Sequence, residues 1–148
     1  MSSTACAALR YCYPAHPNKE EETKMNLALW IVQAVLALIF LGAGTVKLVQ
    51  SRDRLVKTLG GWVEDVPAGL IKAIGALEIL AAIGLILPPA LGIFPVLAPL
   101  AAAGLVAVMV GAIITHARRG EYSSVVVNVV LAALAIFRAW GRFGPYRF

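Results

Sequence analysis

The chain has 148 residues, of which 60% are hydrophobic and only 14% charged, with a mean hydropathy of +0.82. A single domain of this size has too little interior to hide that much apolar surface; this excludes a soluble enzyme, a disordered tail and a nucleic-acid-binding domain, and leaves the bilayer as the solvent. The net charge of +5 does not point to nucleic acid either, because the basic residues sit between apolar blocks and form no stripe; they read as a membrane topology signal.

Residues 1–24 differ from everything after them: polar, irregular, with Pro14 and Pro17 and no apolar stretch of the kind a signal peptide carries. Cys6 and Cys12 both lie here, so thiol chemistry and thiolate metal sites are excluded from the apolar region. His16 and His116 are too far apart in sequence to suggest a metal or haem site, and no metal is expected. The run Lys19-Glu20-Glu21-Glu22 back-translates to a purine-rich string just upstream of Met25, as a bacterial ribosome-binding site would. Two expectations stand side by side: a disordered leader ahead of a membrane domain spanning 25–148, or a mis-assigned start with Met25 as the true first residue.

Four segments are long and apolar enough to cross a bilayer, which takes about 20 residues. The first runs from Leu27 to about Val46, with Gln33 its most polar side chain and Gly42 and Gly44 thinning its end. The connection that follows has Leu55, Leu59, Trp62 and Val63 at near-helical spacing, which predicts a short amphipathic surface helix interrupted at Gly60-Gly61. The second span starts after Pro67 and is expected to stop before Pro88-Pro89. The third runs from about Phe94 to Thr115, where Ala103, Ala107, Gly111 and Thr115 form a ridge of small residues expected to let another helix approach closely. The fourth runs from about Ser123 to Trp140. Backbone groups in lipid must be satisfied within the segment, so each span is a helix. The short connections make sequence neighbours antiparallel neighbours, and the fold is an all-α, polytopic, antiparallel four-helix bundle.

Lys47, Arg52, Arg54, Lys57, Arg118 and Arg119 flank one membrane face; from Met25 onward only Arg138, Arg142 and Arg147 flank the other, and a chain that keeps residues 1–24 adds Arg10, Lys19 and Lys24 there, which levels the count. The bias places the two charged connections in the cytoplasm and both termini outside. Trp30 and Trp140 then mark one interface, Trp62 and Tyr122 the other.

A charge inside the bilayer costs about 2.5–3.5 kcal/mol on insertion scales, so a retained one needs a reason. Glu78 lies about 16 Å into the second span at about 1.5 Å per residue, near the midplane. Lys47, Lys72 and Asn128 lie on the same half of the membrane, and His116 closes the third span at that surface. Glu78, Lys47, Lys72 and Asn128 are therefore expected to form one buried polar cluster with His116 at its mouth. Such a cluster either handles a proton or ligand, or fixes helix register as a paired brace. Gln33 reads as a helix–helix hydrogen bond, and Arg138 as a side chain reaching out to the interface.

Phe40-Leu41-Gly42-Ala43-Gly44-Thr45-Val46-Lys47-Leu48 resembles the F-x-x-A-G-x-x-K-L end of the first helix in the DoxX and DoxX-like membrane proteins. Gly75-Ala76-Leu77-Glu78 with Ala82–Pro88 is similar to their second helix, Met109–Glu121 to the end of their third, and Asn128 to the usual polar position in the fourth. The resemblance runs from about Leu27 to Arg142 and leaves residues 1–24 without a counterpart. It implies a multi-pass protein of the bacterial inner membrane. Some relatives are linked to membrane redox complexes, thiosulfate or quinone oxidation and oxidative-stress defence; distant animal relatives act as receptor-assembly chaperones. The chain itself carries no cofactor box and no complete catalytic constellation, so it reads as a non-enzymatic accessory or interaction subunit that binds other membrane proteins or further copies of itself within the lipid bilayer. The alternative is an enzyme or carrier for a small lipophilic molecule such as a quinone, with Glu78 handling protons.

Overall fold

The computed structural model describes residues 18–144 and 146. Cys6, Cys12, His16 and the expected leader up to residue 17 lie outside the described residues. Helix α1 spans Lys19–Val49, α2 Arg52–Leu59, α3 Trp62–Asp65, α4 Ala68–Leu91, α5 Leu97–Arg118 and α6 Tyr122–Phe143. Helices α1, α4, α5 and α6 are each long and apolar enough to cross a membrane. Large apolar side chains on their outer faces stand exposed, Leu38 at 71% and Leu80 at 62% among them, as lipid-facing positions do.

Helix α1 begins at Lys19, ahead of the expected Leu27, and residues 19–24 are helical rather than irregular. The Asn18 side chain caps it, accepting from the Glu21 N–H at 2.8 Å, and Glu20, Glu21 and Glu22 in the first turn oppose the positive end of the helix dipole. Those local signals outweigh the polar character of the segment, and Met25 falls inside the helix.

Helix α4 does not stop at Pro88-Pro89 but runs on to Leu91. A proline lacks a donor yet keeps its acceptor. Near a helix C-terminus the acceptors are the groups needing partners, and the Gly92 and Ile93 N–H groups close on the Pro88 and Pro89 carbonyls. Gly92, at φ 66°, supplies the left-handed residue such a closure requires. Helix α5 starts at Leu97 rather than Phe94, which leaves Pro95 outside the helix and puts Pro99 in the first turn, where its missing donor costs nothing.

Helices α1 and α4 form one antiparallel pair and α5 and α6 another, with α4 against α5 and α1 against α6 closing the ring. The α1–α4 crossing is the tightest. A methyl group on Gly44 would lie 2.5 Å from the Gly75 carbonyl oxygen, and one on Gly75 would lie 2.8 Å from the Lys47 Cβ. The small ridge on α5 behaves otherwise. Ala103, Ala107 and Gly111 are exposed, and a methyl group on Gly111 would meet nothing within 4 Å. A small residue permits close approach but attracts nothing, so the glycine pair on α1 and α4 makes the contact and the α5 ridge leaves space.

The core that joins all four spans comprises Leu36, Phe40, Leu85, Leu105, Met109 and Ala135 with their neighbours. It sits away from the end where α2 and α3 lie. At that end a separate cluster of Leu55, Val63 and Ile71 seats α2 and α3 against α4. Gly60, at φ 100°, ends α2 and turns the chain into α3, as expected from Gly60-Gly61.

Candidate functional site

Two helix pairs joined mainly at one end leave a cleft at the other. It holds a cavity of about 680 Å³ between the α1–α4 pair and the α5–α6 pair, with α2 and α3 across its base. Its walls are mostly apolar, with Phe40 and Met109 at the inner end. Four of the five expected site residues line it: Lys47, Glu78, His116 and Asn128.

Lys47 and Glu78 are its most buried polar groups, 7% and 3% exposed. The Lys47 Nζ donates to both Glu78 carboxylate oxygens, at 2.9 and 2.7 Å. The glycine crossing makes this geometry: Lys47 lies over Gly75 and Glu78 over Gly44, so with no side chains between the backbones the long Lys47 side chain runs along the seam to the carboxylate. Asn128 is half-buried, and its side-chain N–H₂ donates to the Ser124 carbonyl one turn earlier at 2.8 Å. It lines the cavity without a hydrogen bond to the ion pair. Lys72 does not join the cluster. It is exposed on α4, because six residues of helix carry it about 120° away from Glu78, and Lys47 already occupies both carboxylate oxygens.

His116 stands in the last turn of α5, 8% exposed, where the chain crosses the base of the cleft. Its Nδ1 lies 2.6 Å from Glu121 Oε2, and its ring meets Trp62 edge-on at a centroid distance of 5.9 Å. The other Glu121 oxygen accepts from Arg119 Nε at 2.9 Å, and Arg119 also donates to Asp65 at the end of α3. Hydrogen bonds from His116 and then from Arg119 hold the Glu121 carboxyl below its ordinary value of 4.5. The same carboxylate is the first cause of the raised Arg119 value. Arg52 donates to the Glu64 carbonyl at 2.8 Å, and the Trp62 indole N–H to Leu59 at 2.9 Å. Trp62 is thus built into the closure of the cleft.

The far end of the bundle holds a second polar contact. Arg138 is fully buried and does not reach out to the interface as its position near a helix end suggests. Its Nε donates to the Gln33 oxygen at 2.7 Å, and its Nη2 donates to the same atom. Arg142, one turn on, is 4% exposed and donates to the Tyr146 carbonyl at 3.0 Å. Nearby a methyl group on Gly141 would press on Leu29 at 2.7 Å, so α1 and α6 touch closely here. The sequence held the signal for Arg138. It shares with Asn128, Leu131, Ala135 and Arg142 a stripe at three- and four-residue spacing, and Ala135 is the most buried alanine of α6.

Among the described residues no group of three His, Cys, Asp or Glu side chains is placed to hold a metal ion. Residues 31–138 match the model of the DoxX-like family, and the chain belongs to that family. No curated protein and no solved structure matches it.

Proposed function

From that membership we propose that this multi-pass membrane protein binds a small lipophilic molecule, such as a quinone, in the cleft between its two helix pairs. The observation carrying the proposal is a cavity of about 680 Å³ whose apolar walls converge on the buried Lys47–Glu78 pair. Small-molecule sites are concave, mostly apolar and about 300–1,000 Å³, with a few placed polar groups. Lys47, with both carboxylate oxygens on its ammonium, braces α1 against α4. A ligand carbonyl that draws a hydrogen bond from Lys47 weakens that brace and leaves Glu78 free to take up a proton. Among the described residues no cysteine lines the cleft, so electrons for a bound quinone would come from a partner subunit.

The second reading is an accessory subunit of a redox- or stress-linked complex in the bacterial inner membrane. Its support is the exposed small-residue ridge of α5, Ala103 on the outside and Ala107 and Gly111 at the rim of the cavity, which leaves room for a helix of another protein or a second copy. Gentle purification followed by mass spectrometry separates the two. A lipophilic molecule that co-purifies with the native protein and is lost in Lys47→Met supports the binding reading. A protein free of such a molecule but bound to a stoichiometric partner overturns it in favour of the second.

A further inference from the structure

The cleft is partly covered at its base, where exposed Thr58 and Ser123 also line it, and open on its flanks. The cover is Leu59 and Trp62, with the Arg119 contacts to Asp65 and Glu121 tying α3 to the α5–α6 turn. Its sides are different. Ile39 on α1 and Val127 on α6 both line the cavity, yet they are 42% and 57% exposed. A residue that lines a cavity and is also exposed stands at an opening, and Leu70 on α4 with Ala107 and Gly111 on α5 meet the same test on the opposite flank. Ile39 and Val127 lie on the flank where α1 and α6 face each other, and these two helices pack least closely of the neighbouring pairs in the ring, so the wider gap is theirs. Their close contacts, Gln33 with Arg138 and Leu29 with Gly141, are at the far end. Ala43, half-buried, lies between Ile39 and Lys47 on the cavity wall and leads from the opening to the ion pair.

We infer that the gap between α1 and α6 is a lateral portal, through which the ligand loads from the bilayer with its polar head on the Lys47–Glu78 pair and its hydrocarbon tail left between Ile39 and Val127. This rests on the cleft being the ligand site and adds the ligand class: an amphiphile dissolved in the membrane, with a hydrogen-bonding head small enough for the cavity and a tail that need not fit inside it.

The test uses the full chain in phosphatidylcholine vesicles with Trp30 and Trp140 replaced by Phe, so that Trp62 alone reports on the cavity. Decylubiquinone is the probe, and quenching of Trp62 fluorescence is the readout. Ala43→Phe and Val127→Phe, made separately, are expected to slow quenching by about tenfold, as when access needs a conformational opening, while Leu38→Phe, exposed and outside the cavity lining, leaves the rate unchanged. Unchanged rates in both Phe variants overturn the portal but leave the site standing; absence of quenching in the parent protein overturns the site itself. A measurement without plugging variants runs beside this. Acyl-chain-brominated phosphatidylcholine is expected to quench Trp62 in the empty protein. Quenching by aqueous iodide in place of brominated lipid overturns the portal.

Discussion

The Lys47 ammonium and the Glu78 carboxylate, 31 residues apart, meet across the point where α1 and α4 come closest, with both carboxylate oxygens within 2.9 Å of Nζ. The contact depends on Gly44 and Gly75, since any side chain there would hold the helices apart.

Breaking this pair is expected to be worse than removing it. Losing one partner of a buried ion pair costs about 3–5 kcal/mol, whereas replacing both with apolar groups is often neutral or better. Lys47→Met and Glu78→Met are each expected to lower thermal stability in detergent, and the double variant to recover most of the loss. A double variant as unstable as the sum of the singles shows that the two residues do not act as a pair.

The glycine crossing makes a sharper contrast. Gly44→Ala puts a methyl group against backbone at 2.5 Å, so the helices must separate, at about 1–3 kcal/mol for overpacking. Gly42→Ala meets nothing within 4 Å and is expected to stabilise the helix by up to about 1 kcal/mol. Denaturation of both variants, side by side, checks the order.

The closure of the cleft is expected to loosen in acid. Glu121 has a folded value lowered from 4.5, so the stability it contributes is present above 4.5 and is lost as pH falls through the lower, folded value. The charged and titratable groups facing it are His116, Arg119 and, through Arg119, Asp65. Protection from hydrogen exchange over residues 59–66, taken relative to intrinsic exchange at each pH, is expected to fall below pH 4.5, and in Glu121→Gln to be already low at neutral pH. A pH-independent protection factor in the parent protein contradicts this.

Gln33→Leu removes the acceptor for two donors of a fully buried guanidinium, a loss of about 1.5–3 kcal/mol for a hydrogen bond to a charged group. Gln33→Glu restores an acceptor and is expected to recover stability, a comparison that unfolding in detergent resolves.

Reporter fusions test the orientation. By the positive-inside bias, a reporter placed after Arg119 is active in the cytoplasm and one placed after Phe143 outside. The reverse result inverts the protein without altering its four spans.

The spans were legible because a stretch of about 20 apolar residues has one use in a bilayer. Lys47, Glu78, His116 and Asn128 were legible as a set because polar groups inside spans are costly, and depth counted along each helix aligns them. Lys72 was misplaced because depth alone does not give azimuth; its 120° offset sends it outward. Arg138 was misplaced for the opposite reason: its nearness to a helix end suggested an escape to the interface, although its stripe pointed inward. The α5 ridge illustrates a limit of composition. Small residues mark where helices are able to approach, and only the pairing of Gly44 with Gly75 shows where they do. The His116–Glu121–Arg119–Asp65 chain was not legible, since it joins α3 to the α5–α6 turn across 54 residues of sequence.

The two polar contacts inside the bundle differ in when they can form during synthesis. Lys47 and Glu78 both belong to the α1–α4 hairpin, so their charges neutralise one another as soon as that hairpin enters the bilayer, before α5 has left the ribosome. Gln33 and Arg138 are 105 residues apart, on the first and last spans. Their bond must wait for the final helix, and it therefore works as a clasp that closes an already inserted bundle.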